Sequence, residues 1–307
     1  MVRGSYASQL ARQRVNTLIF LGPACVLLAL FFIAPVVIDI GLAFTDMGRN
    51  LKVTAFTTEN FERMFTGDRR LVSVLGVTLV YVLGTLAIFN VTFALVLALT
   101  TTALPDRAGA FFRAVWLLPR MSPSVVYALL WGWAISPTEH GLVNQFLSGV
   151  LGLPPLDIKS DAPVLLIIIA NGFIGASMGM IIFTSAIRSI PEHLFFAAKA
   201  DGAGALAIIR HITLPAIRWP LSFITVYQTL SLMVSFEYIW LITNGGPFFD
   251  TTVYALYVYK RAFDSGQYAY GAALALGLVV LGIAAALLMW RFMDMKSLLQ
   301  RPRIEVQ

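Results

Sequence analysis

Residues 162–188 read APVLLIIIANGFIGASMGMIIFTSAIR, and no charge interrupts the run before Arg188. That is longer than the roughly 20 apolar residues a helix needs to cross a ~30 Å hydrocarbon core. A chain in lipid must satisfy its backbone polar groups internally, which leaves helices or closed barrels, and the pattern here is continuous rather than alternating. Similar runs lie on either side: Thr17 to Phe44, Leu71 to Leu104 and Ala114 to Ser136 before it, Ile217 to Thr243 and Gly271 to Trp290 after it. The expectation is an all-α membrane protein of about six transmembrane helices, with the longer runs tilted or extended beyond the lipid.

Composition agrees. The 307 residues are 58% hydrophobic and 12% charged, with a mean hydropathy of +0.80, so the bilayer is the main solvent and little chain remains for a large soluble domain. The net charge of +6 would suggest nucleic acid in a soluble protein, but here it is read as positive charge kept on the cytoplasmic side. Cys25 is the only cysteine, which excludes an intrachain disulfide and a thiolate metal cluster. His140, His193 and His211 are far apart and fall in loops, giving no zinc site or proton relay. The first run is too long for a signal peptide and lacks a small-residue cleavage motif, so it is read as a retained span.

If an even number of spans puts both ends on one side, Lys and Arg divide fourteen to eight. The richer side holds both termini, the Arg107, Arg113 and Arg120 loop, and the loop from Arg188 to Arg218. Both termini are therefore expected in the cytoplasm. The segmentation that follows is a cytoplasmic segment 1–16, a first span 17–44, an extracytoplasmic loop 45–70, a core 71–290 with an inward loop 189–216, and a cytoplasmic tail 291–307.

The inward loop runs from Ile190-Pro191-Glu192 through Phe195-Phe196-Ala197-Ala198 and Asp201-Gly202-Ala203 to Leu214-Pro215. Pro191 can begin a helix, and Asp201-Gly202 supplies a turn that ends it, so a short helix, a bend and a second helix are expected. The small residues allow close approach to another surface, with Phe195 and Phe196 as anchors. An ordinary amphipathic connection fits the spacing equally well.

This segment resembles the cytoplasmic coupling loop of binding-protein-dependent ABC importer permeases, whose pattern is Glu-Ala-Ala, three residues, Gly, and a downstream Leu-Pro. Ala197, Ala198, Asp201, Gly202, Ala203, Leu214 and Pro215 match. Phe196 stands where that family has glutamate, while Glu192, one turn earlier on the same face, offers a carboxylate. The stretch from Phe236 to Pro247 is similar to a signature of maltose-type carbohydrate permeases, as are Phe112-Arg113 with Leu118-Pro119, Gly141 to Asn144, and Tyr268 to Ala273.

The resemblance implies a type I importer permease fold in a bacterial or archaeal inner membrane. It also implies a second homologous permease, two ATPase subunits carrying ATP and Mg, and an extracytoplasmic solute-binding protein. The solute would be a carbohydrate or polyol. The chain itself would hold no cofactor, bind no nucleic acid and perform no chemistry, and it has no GxxxxGK[ST] phosphate loop of its own.

For the solute path, Gln228, Ser231, Ser235 and Tyr238 make a polar stripe at helical spacing in the fifth span, and Asn171 joins them from the fourth. Bonds to neighbouring helices are the competing role for such groups. Glu237, read on the opposite face near the outer end, is expected in an ion pair or gate contact rather than on the solute. Gly172, Gly175 and Gly179 form a close-packing face. Trp116, Trp131, Trp133, Trp240 and Trp290 lie mostly near span ends, where interfacial anchoring is the expected role. The turn signals around Asn244 to Pro247 mark an ordered docking surface. An ion-coupled secondary transporter would need coordinating acids at mid-membrane, and an intramembrane enzyme would need a Ser/His or paired-Asp arrangement. The acids cluster in loops, and neither arrangement is present.

Overall fold

A computed structural model describes Thr17 and residues 19–292. Six of the basic residues behind the orientation, Arg3, Arg12, Arg14, Lys296, Arg301 and Arg303, lie outside the described residues. The described chain is helical throughout: α1 Ile19–Ala43, α2 Arg69–Ala103, α3 Asp106–Met121, α4 Ser124–Ala134, α5 Leu142–Val150, α6 Pro163–Arg188, α7 Glu192–Ala200, α8 Ala205–Ala216, α9 Arg218–Val234, α10 Glu237–Thr243, α11 Tyr254–Tyr259 and α12 Tyr268–Phe292. A short helix runs from Glu59 to Glu62 and on as a π-helix over Arg63–Gly67, and a single turn forms at Ile158–Asp161.

Among the described residues, four helices, α1, α2, α6 and α12, are long and apolar enough to cross a membrane unbroken. The third and fifth expected spans are each two helices in series. After α3, Ser122 is extended at φ −75°, ψ 140°. Pro123 dictates this, since its ring disfavours helical backbone in the residue before it. After α9, Ser235 is extended at φ −76°, ψ 120°, with no Pro or Gly to account for it locally. Its hydroxyl is instead held by Asn171 Nδ2 at 3.1 Å.

The chain divides into two compact units, one of residues up to Gly67 with Val258–Gly277, the other of Asp68–Tyr257 with the residues from Leu278 on. In the first, Ala43 at the end of α1 packs with Ala272 and Ala273. Asn60 Nδ2 donates to the carbonyls of Ala43 and Thr45 at 3.0 and 2.7 Å, and the Arg63 guanidinium sits 4.0 Å from the Tyr270 ring centroid.

In the second unit α6 is the axis, buried along most of its length. A Cβ on Gly172 would stand 2.2 Å from the Phe89 ring, one on Gly175 2.0 Å from Asn90 Oδ1, and one on Gly179 2.7 Å from the Ala94 methyl. The glycine row is therefore the close-packing face expected of it, and it brings α2 against α6. Opposite this row α2 runs as a π-helix over Thr85–Phe93.

Candidate coupling loop and solute path

The inward loop folds as its residues require. Helix α7 starts after Pro191, whose carbonyl accepts from the Leu194 amide at 3.1 Å. It stops at Gly202, where φ is +81°, a conformation that glycine adopts without penalty. The Ala203 amide donates to the Ala198 carbonyl at 2.9 Å and the Gly202 amide to the Lys199 carbonyl at 3.1 Å. This pair of bonds is a Schellman cap, which satisfies the last carbonyls and turns the chain into α8.

The adjacent phenylalanines divide the labour. Phe195 is half-buried, and with Ile212 of α8 it packs on a core formed by Ala94, Ala98, Phe183, Ile187, Ile190 and Ile217. Phe196 is 64% exposed and Leu206, on α8, 77%. The expectation of two outward anchors is corrected: Phe195 ties the loop to the spans, and Phe196 with Leu206 forms the outward apolar pair. Glu192, Ala197, Asp201 and Gly202 are also exposed, while Ala198 and Ala203 are half-buried. Leu206 and Ile212 were not singled out by the pattern. The two face different ways, Leu206 outward and Ile212 onto the core, so no single apolar face marks them in the sequence.

The polar stripe is divided by the break at Ser235. Asn171 Nδ2 donates to the Tyr81 hydroxyl and to Ser235 Oγ, tying α2, α6 and the break together. Gln228 is buried and its Nε2 donates to the Gly175 carbonyl at 3.2 Å. Ser231 is exposed. Tyr238 belongs to α10, its ring edge-on to Tyr127 at 5.6 Å, and the Tyr127 hydroxyl donates to the Ala170 carbonyl at 2.6 Å. The single stripe is thus a junction of buried Asn171 and Gln228 with half-buried Ser235, and two outlying positions (Ser231, Tyr238).

Helix α10 begins at Glu237, whose Oε1 accepts from Ser124 Oγ, the first residue of α4, at 2.5 Å. The two breaks are joined here. No Arg or Lys pairs with Glu237 among the described residues, so the expected contact is a hydrogen bond to a serine rather than an ion pair.

Two further placements differ from expectation. Trp116 and Trp131 surround Phe173, at 5.6 and 6.0 Å between ring centroids, inside the helix assembly rather than at an interface. Beside them a cavity of about 640 Å³ is lined by Leu118, Ser122, Tyr127, Trp131 and Phe173 among others. Apart from Ser122 and Tyr127 its walls are apolar, leaving a hydroxylated solute few partners. The Asn244 to Thr252 turn is ordered as expected: Thr251 Oγ1 donates to the Gly246 carbonyl at 2.7 Å and Thr252 Oγ1 to that of Gly245 at 2.9 Å.

Residues 90–292 match the model of the binding-protein-dependent transport system inner membrane component family. The chain is 29% identical over 294 residues to the galactooligosaccharides transport system permease protein of Bacillus subtilis, covering 90% of this chain and 69% of that one. It is 32% identical to a probable ABC transporter permease protein of Pyrococcus horikoshii, covering 90% and 95%. Its fold is similar to a chain of the bacterial alginate ABC transporter solved with an alginate pentasaccharide-bound periplasmic protein. The TM-score is 0.80 at 23% identity, covering 94% of this chain and 97% of that chain.

Proposed function

The chain belongs to the family of binding-protein-dependent transport system inner membrane components, and from that membership we propose that it works as one of two permease subunits in an ATP-driven importer of carbohydrates or polyols. The observation that carries the proposal is the built surface of α7 and α8. Phe196 and Leu206 project from a short helical pair that Phe195 and Ile212 anchor to the core of α2, α6 and α9. An exposed aromatic on a rigid mount is the form of an interface hot spot.

ATP and Mg are held by a pair of ATPase subunits that dock on this surface, and their closure moves α7 and α8. Because α7 follows directly on α6, the motion passes into the helix that carries Asn171 and Gly175. The path then opens alternately to the two sides. The carbohydrate class is supported by the Bacillus subtilis relative and by a polar junction of hydroxyls and amides at Tyr81, Asn171 and Ser235. An extracytoplasmic binding protein delivers the solute, and the ordered Asn244 to Thr252 turn is its docking surface. The location is a bacterial or archaeal inner membrane.

The test is ATP hydrolysis by the complex reconstituted from this chain, its second permease and its ATPases. Hydrolysis rises when binding protein loaded with a galacto-oligosaccharide, other oligosaccharide or polyol is added. Hydrolysis indifferent to loaded binding protein across such a panel would overturn the carbohydrate assignment.

A further inference from the structure

Arg120 does not lie where its neighbours in sequence suggest. The counting of basic residues puts it with Arg107 and Arg113 at the cytoplasmic edge, and Arg113 is indeed there, donating to the Thr101 carbonyl near the end of α2 at 3.0 Å. The unbroken α6 measures the depth of Arg120. Its last residue, Arg188, pairs with Asp106 at the start of α3 at 2.9 Å. Arg120 Nη2 stands 3.6 Å from the sulfur of Met178, ten residues earlier on α6. At 1.5 Å per residue that is about 15 Å above Arg188, half of a ~30 Å hydrocarbon core.

At this depth Arg120 is exposed, and no carboxylate pairs with it among the described residues. It stands two residues before the Ser122 break. Glu237, also exposed, opens the helix after the other break, held by Ser124. Ser124, which holds Glu237, follows Arg120 by four residues across the Ser122 break. A guanidinium and a carboxylate on the outer face of a membrane-embedded unit are not left against lipid, and such residues face water-filled cavities or the bundle interior. Helix breaks at membrane depth are likewise confined to places where the freed backbone meets protein or water. Two broken helices with a cation on one and an anion on the other therefore mark one wall of an aqueous route.

We propose that Arg120 and Glu237 line the water-filled solute path and set its local charge, Arg120 offering donors and Glu237 acceptors to a neutral, hydroxyl-rich solute. This rests on the transport reading above. A guanidinium offers five donors and a carboxylate only acceptors. A sugar hydroxyl serves both, whereas an ion is attracted by one of the two groups and repelled by the other.

The test uses charged thiol reagents on the complete complex in vesicles. Cys25→Ser removes the only cysteine, and Ser124→Cys then places a thiol beside Glu237. Its modification is timed with sulfonatoethyl (anionic) and trimethylammonioethyl (cationic) methanethiosulfonate. Both reagents are expected to react. Glu237→Gln raises the anionic-to-cationic rate ratio several-fold, and Arg120→Gln lowers it several-fold. Met178→Cys, beside the guanidinium, reads the same path with both charges intact if either of those variants fails to assemble, and is expected to react with both reagents. A thiol at both positions that neither reagent reaches, with or without ATP, overturns the proposal and places this face against lipid or a partner helix. A ratio that neither charge substitution moves removes Arg120 and Glu237 from the wall of the path. The rates depend on no sugar, so this failure and that of the carbohydrate assignment are separately readable.

Discussion

Asn171 carries the junction between three elements, since its amide donates both to Tyr81 of α2 and to Ser235 at the break after α9. Removing one partner of a buried hydrogen bond costs about 1–3 kcal/mol. Tyr81→Phe, with ring packing kept, is therefore expected to lower thermal stability of the purified complex by that order. Asn171→Leu, which severs both bonds, should lose uptake while the complex still assembles; unchanged uptake would remove Asn171 from the path. On the coupling surface, Phe196→Ala should weaken ATPase attachment by about 2 kcal/mol or more, as truncated aromatic anchors do. Glu192→Gln, at an exposed position, should change it by about 1 kcal/mol or less. Pull-down of the ATPase pair compares the two, and the reverse order would return the contact to the carboxylate. Sequence named both phenylalanines but could not orient them, because adjacent residues of one type differ only by a 100° rotation about an axis whose packing is set elsewhere. The depth proposed for Arg120 departs from the charge count for a related reason: counting charges along a loop assumes the loop lies outside the membrane.

Among elements, the loop of α7 and α8 was the most legible, because Pro191 and Gly202 act through local backbone preference alone. Gly202 has φ +81° and open space around it, so Gly202→Val meets no clash but strains the left-handed turn by about 1–2 kcal/mol. It is expected to lower ATPase coupling while leaving the spans folded. Circular dichroism unchanged beside a reduced transport-to-hydrolysis ratio is the signature. Gly175→Val is a different case: its Cβ would strike Asn90 at 2.0 Å, forcing α2 and α6 apart, and loss of folded protein from the membrane fraction is the expected result. The breaks were half legible. Pro123 announces the first by its effect on Ser122. The second, at Ser235, has no local Pro or Gly, and the hydrogen bond its hydroxyl accepts comes from a residue 64 positions away, which no window along the sequence contains. Short apolar windows count residues and do not see the path of the backbone.

For the whole molecule, composition and the length of the apolar runs were enough to read a helical membrane protein, since both follow from the thickness and polarity of the bilayer. The family was legible in the loop pattern, and residues 90–292 carry it. What composition cannot supply is the assembly: among the described residues α1 buries none of its apolar window, and Phe196 and Leu206 on α7 and α8 stay exposed. The central claim, that solute movement is driven by ATP through the α7–α8 surface rather than by an ion gradient, is tested most directly by uptake into vesicles holding the full complex. Radiolabelled solute delivered by the binding protein should accumulate only with ATP on the ATPase side, and Phe196→Ala should abolish it with or without a proton or sodium gradient. Accumulation that persists without the ATPase subunits and collapses when the ion gradient is dissipated would contradict the account.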